Sequence, residues 1–205
     1  MVAADTQPSS RRPGGRTART RAAVRDATLA ELAAHGYAGL TVEAVAERSG
    51  VHRTTVYRRW GGVDGLIVDA LDLAGTDDWQ PPDTGTFAGD CGALAEEVRR
   101  SFADPVEGPS AAAVFEAAFR SPPAAEALRG FLADRHARSE VVVERAMTRG
   151  EVPAGTDAGA VVRAVVAPLY HRLFITREVL DAEAAARAAA AAVAATSAGV
   201  FSSKG

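Results

Sequence analysis

A chain of 205 residues, 47% hydrophobic and 24% charged, has the composition of a folded globular protein with room for one large domain or a small and a medium one. The sequence shows no apolar run of about 18 residues to span a bilayer and no secretory signal, and the single cysteine, Cys91, excludes an intrachain disulfide, so a cytoplasmic, reducing setting is expected. The net charge of −3 conceals an asymmetry: residues 1–65 carry ten arginines against six acids, while residues 66–205 carry thirteen basic residues against twenty acidic ones, so one end suits a polyanion.

Alanine is abundant and sustained period-two alternation is absent, so the fold class is all-α, with about nine helices expected. Residues 1–16, with Arg11, Arg12 and Arg16 among Pro8, Pro13, Gly14 and Gly15, read as a disordered basic arm. Val24, Ala27, Thr28 and Leu32 recur at helical spacing, giving a helix from about Thr17 to His35 with Gly36 as its left-handed cap. Thr41 caps a short helix with Val42, Val45 and Ala46 inward, and Ser49-Gly50-Val51 breaks it. A second short helix, Arg53 to Arg59, points Val56 and Trp60 inward and turns at Gly61-Gly62. Val63, Leu66, Ile67, Ala70, Leu71 and Ala74 then form an amphipathic stripe.

The stretch GTDDWQPPDTGT, residues 75–86, marks a loop and a domain boundary. Beyond it, helices are expected from Phe87 to Phe102, from Ser110 to Arg120, and in one long run from Pro122 to Gly150. Asp157 caps a helix apolar on two sides, kinked at Pro168, and an alanine-rich helix spans Asp181 to Ala198. The expected organisation is thus a basic arm (1–16), a three-helix DNA-binding domain (17–62), a connecting helix (63–74) and a larger helical domain (75–205).

Two short amphipathic helices joined by a turn containing Gly50, the second rich in Arg and Tyr, read as a helix-turn-helix. The polar face offers His52, Arg53, Thr54, Thr55, Tyr57, Arg58 and Arg59 as donors to base edges and phosphates. No Gly-rich phosphate loop, nucleophile signature or metal spacing accompanies them; His136 and His171 stand without partner ligands, so no enzyme, cofactor or metal is expected. A helical-bundle carrier or enzyme with an incidental basic end is the rival reading.

Across residues 20–70 the chain resembles the TetR family of transcriptional regulators, on His35-Gly36-Tyr37, Leu40-Thr41-Val42, Val45-Ala46, Ser49-Gly50-Val51 and Thr54-Thr55-Val56-Tyr57-Arg58-Arg59-Trp60. The resemblance implies Thr41 as a phosphate anchor, Arg53, Thr54 and Thr55 facing bases or nearby phosphates, and Tyr57 and Arg59 as backbone contacts. Two positions depart from the family: His52 stands where Ser is common, and Gly61-Gly62-Val63 where Pro-Ser-Lys is common, so the usual phosphate-binding lysine is missing.

Helix-turn-helix proteins read paired half-sites of double-stranded operator DNA, so a homodimer is expected, paired through the helices near 157–177 and 181–198. Phe87, Cys91, Phe102, Phe115, Phe119, Phe131, Tyr170 and Phe174 supply apolar wall for an effector pocket, each with ordinary core as its bland alternative. The resemblance implies a repressor that a small effector releases from DNA, and the apolar wall suits a lipophilic one; a ligand-independent regulator is the alternative.

Overall fold

The computed structural model describes residues 14–202 and places them in ten α-helices, with an isolated bridge between Thr156 and Ser202. The helices are α1 Gly14–Gly39, α2 Val42–Ser49, α3 Arg53–Trp60, α4 Val63–Ala74, α5 Phe87–Ala103, α6 Gly108–Ala118, α7 Pro122–Ser139, α8 Val141–Arg149, α9 Ala158–Tyr170 and α10 Ala182–Ser197. Nearly all of the expected basic arm lies outside the described residues.

Two apolar cores organise them. The first gathers Val24 and Leu32 of α1, Val42 and Val45 of α2, Val56 and Trp60 of α3, and Leu66, Ile67 and Leu71 of α4. Ala113, Val114 and Ala117 of α6, with Ala124 and Leu128 of α7, complete it. Two eight-residue helices bury too little surface to persist alone; each buried Val, Leu or Ile adds roughly 1.5–3 kcal/mol, and α1, α4, α6 and α7 share the core with them. The second core joins α5, α8, α9 and α10 through Phe87, Cys91, Val142, Val143, Val161, Val162, Val165 and the alanines of α10. The first core therefore crosses the boundary at residue 75, because α6 packs along α1 and α7 along α4.

The run expected as one helix from Pro122 to Gly150 is divided at Glu140. Ser139, 3% exposed, turns its Oγ onto the Arg135 carbonyl at 2.8 Å, a back-bond that bends helices, and the two segments serve different cores. At Gly36 the backbone takes φ 65°, ψ 179° in place of a left-handed cap, and one further turn follows to Gly39. Pro168 sits inside α9, and a π turn, His171–Ile175, follows it. The stretch Ala158–Ile175 is by length and composition apolar enough to cross a membrane, against the expectation from sequence, but Val161, Val162, Val165, Val166 and Leu169 are buried inside the protein.

Candidate nucleic-acid interface

Thr41, in extended backbone, accepts the Ala44 N–H on Oγ1 at 3.1 Å and so fixes the first turn of α2. The helix closes at Gly50, whose φ of 67° is a left-handed position that a side chain would strain. His52 does the work of the more common Ser: its Nδ1 accepts the Thr54 N–H at 3.4 Å and lies 2.8 Å from Thr54 Oγ1. Its replacement of Ser therefore leaves α3 capped.

Val56, fully buried, and Trp60 anchor α3 from behind, while His52, Arg53, Thr54, Tyr57, Arg58 and Arg59 are exposed and Thr55 is half-buried. Thr41 is exposed beside them. Arg21 and Arg48 are tied to Asp69 and Glu31, whereas Arg53, Arg58 and Arg59 meet no carboxylate at ion-pair distance among the described residues. Arg59 lies 5.0 Å from the Trp60 ring centroid. A rigid helix carrying unpaired guanidinium groups on its open face is suited to phosphates and guanine edges.

Sequence reasoning missed the carboxylates that hold this face. The Tyr57 hydroxyl donates to Glu43 Oε1 at 3.1 Å, which pushes the phenol's pKa up. Glu31, 6% exposed, takes Arg48 Nε at 2.5 Å and His35 Nδ1 at 3.1 Å, and the Arg48 hydrogen bond holds its carboxyl below the usual range. Asp64 Oδ1 accepts both the Tyr37 hydroxyl at 2.9 Å and the Ser121 hydroxyl at 2.7 Å. An acid fourteen to fifty-seven residues from its partner gives no periodic signal, so of these contacts only Glu31–His35, at the i,i+4 helical spacing, could have been suspected from the sequence.

The eight residues expected to wall a pocket fall in four places. Phe102, Phe115, Tyr170 and Phe174 form one ring cluster between α5, α6, α9 and the π turn, with Phe115 and Phe174 stacked at 4.7 Å and Phe102 edge-on to Phe115 at 5.4 Å. Phe87 and Cys91 lie in the second core, Phe131 packs against the first, and Phe119 is 70% exposed. Burial pushes the Cys91 thiol up to about 12 and the Tyr170 phenol likewise to about 12. Near Tyr170, burial also pushes the Glu97 carboxyl up. Two open surface hollows, of about 460 and 380 Å³, have no aromatic side chain in their walls.

Residues 24–70 match the family of bacterial regulatory proteins of the tetR type, and residues 81–192 match a tetracyclin repressor-like C-terminal domain. The HTH-type transcriptional regulator AqdR of Rhodococcus erythropolis is 32% identical over 158 residues, 77% of this chain and 76% of its own. Among solved structures, the TetR family transcription regulator SCO0332 is 28% identical, covers 86% of this chain and 97% of its own, and superposes with a TM-score of 0.66. The SmeT–triclosan complex shares the fold at a TM-score of 0.61 and 21% identity, over 86% of this chain and 90% of its own. With its helix-turn-helix and helical C-terminal region both matched, the chain belongs to the TetR family of DNA-binding transcriptional regulators.

Proposed function

We propose that the protein is a homodimeric repressor that grips operator DNA through α3 of each subunit and lets go when a small lipophilic ligand enters the ring cluster. The observation that carries the DNA reading is Arg53, Arg58 and Arg59, exposed and, among the described residues, meeting no carboxylate, on a helix anchored by Val56 and Trp60. Thr41, His52, Thr54, Thr55 and Tyr57 complete the contact set. The working division is a basic arm over 1–16, a DNA-binding unit over 17–62, a connector over 63–74 and a regulatory unit over 75–205, acting in the cytoplasm and without catalysis.

A ligand loosens DNA only by binding better to the form whose recognition helices are badly spaced. Phe102, Phe115, Tyr170 and Phe174 lie where the first core's α6 meets the second core's α5 and α9, so parting those rings would shift one core against the other. The binding of triclosan by SmeT, a protein of the same fold, makes that compound the first probe.

Gel-shift titration against the region upstream of the protein's own gene tests the DNA step. A sequence-dependent shift that weakens with salt supports it; no shift at any salt refutes it. Thermal stabilisation by triclosan with operator release supports the sensing step, and stabilisation without release would leave a ligand-independent regulator.

A further inference from the structure

We propose that Asp64 is a positioning residue, a polar bolt that locks α7 to α4 and thereby makes the DNA-binding helices travel with the regulatory half. The inference deepens the function proposed above and rests on it for its consequence at the operator, but not for its geometry.

The carboxylate stands in the first turn of α4, three residues after Gly61 closes the recognition helix. Its Oδ1 alone receives two hydroxyls, from Tyr37 beyond the Gly36 break and from Ser121 at the head of α7. Ser121 is 2% exposed and also takes the Ala124 N–H at 3.2 Å, so the same hydroxyl that starts α7 reports its position to α4. Further along, Ala124 and Leu128 of α7 share a core with Leu66, Ile67 and Leu71 of α4.

At the far end α7 grips the segment that leaves α4. Arg135 reaches Asp77 at 2.8 Å and lies 4.3 Å from the Trp79 ring centroid; Arg138 reaches Asp77 at 3.2 Å and lies 5.1 Å from the same ring. The helix α7 is thus a splint along α4, fastened at both ends. Apolar packing between them tolerates small slides and rotations, because dispersion and burial have no direction. A shared hydrogen-bond acceptor with two donors fixes register at the end next to α3, where a small rotation is magnified at the DNA-facing surface. A bond to a charged acceptor is also strong enough to matter, and its loss leaves buried Ser121 with one fewer partner.

Both donors use Oδ1, so Asp64→Asn, with its carbonyl in that place, keeps the bolt, whereas Asp64→Ala removes it. The test is a pulsed electron paramagnetic resonance distance between nitroxides on Arg58→Cys in α3 and Thr148→Cys in α8, both exposed sites, in a Cys91→Ala background with labelled chain diluted in unlabelled protein. The intact chain and Asp64→Asn are expected to give one narrow distribution, and Asp64→Ala a broadened or displaced one. Ser121→Ala is expected to follow Asp64→Ala, with Tyr37→Phe, which spares the link to α7, moving the distribution less. At the operator, Asp64→Ala is expected to lose at least ten-fold in affinity for a two-half-site duplex while binding a single half-site as before, and Asp64→Asn to restore it. A distribution in Asp64→Ala and Ser121→Ala with the same width and the same centre as that of the intact chain overturns the proposal. If Asp64→Ala fails to fold, Ser121→Ala and Tyr37→Phe decide it alone. An intact chain that binds no operator, with the bolt variants still broadened, would instead sink the DNA reading and leave the bolt standing.

Discussion

The Tyr57 hydroxyl and the Glu43 carboxylate meet at 3.1 Å on the open side of the helix-turn-helix, so the second helix aims an aromatic ring of the third. Glu43 also lies in the first turn of α2, where an acid complements the helix dipole. The same carboxylate repels any phosphate that Thr41 or Tyr57 approaches. Glu43→Gln is expected to raise affinity for duplex DNA of unrelated sequence and narrow the ratio of specific to non-specific binding. Tyr57→Phe and Arg53→Ala are expected to weaken operator binding, each by about 0.5–3 kcal/mol, since each removes one hydrogen-bonding or charged contact. Both positions are exposed, so sedimentation should show the oligomer unchanged; a change in assembly would mean that these side chains are structural.

Gly65 is required by proximity. A Cβ there would stand 1.9 Å from the Trp60 carbonyl oxygen and 2.9 Å from its carbonyl carbon, both backbone atoms, with no flexible side chain to yield. Gly65→Ala is therefore expected to cost about 1–3 kcal/mol or more through overpacking, read as a fall of roughly 2–4 °C in Tm per kcal/mol for a chain of this size. Gly130, whose Cβ would meet nothing within 4 Å, is the control and should tolerate alanine without loss.

The Glu31–Arg48 pair gives the DNA-binding helices an acid limit. Its carboxyl has a folded pKa below the unfolded value, so the folded state binds the proton less readily. The stabilisation is then fully present above the unfolded pKa, near 4.5, and is lost as pH falls through the folded pKa. Glu31→Gln should flatten the acid limb of a stability-against-pH curve and lower stability at neutral pH by on the order of 1–3 kcal/mol, the scale of a hydrogen bond to a charged group. An unchanged acid limb in that variant would show that the pair is not coupled to folding.

The short helices around the recognition element were legible because local chemistry marks them. Thr41 and Gly50 begin and end α2 through their own side chain or backbone, and the structure places them there, as it does Asp157 at the start of α9. The division at Glu140 was not legible, since Ser139-Glu140-Val141 continues the helical pattern and only the Ser139 back-bond and the change of core separate α7 from α8. Long-range acceptors such as Asp64, fifty-seven residues from Ser121, leave no mark on spacing. The grouping of the aromatic residues was half legible for the same reason: an aromatic residue announces burial but not its companions, so Phe102, Phe115, Tyr170 and Phe174 converge while Phe119 faces outward.

The dimer proposed above is expected to pair through one face of this subunit. On α10, Ala184, Ala185, Ala188, Ala189 and Ala192 are buried against α5 and α9, whereas Ala186, Ala190 and Ala194 are exposed at a spacing of four on one side. On α9, Ala167 and Pro168 are likewise exposed although the helix is apolar. Small side chains let two helix backbones approach closely, and the only charges on this side of α10 are Glu183 and Arg187, which neutralise each other as a pair, so another helix can cover it. Ala190→Arg places a long cation on that face without touching either core. It should convert the dimer to monomer in light scattering at micromolar concentration, retain the helical circular dichroism of the parent, and lose the paired half-site complex on DNA. A dimer that survives this change, with α10 intact, would place the interface elsewhere and separate the alanine face from operator binding.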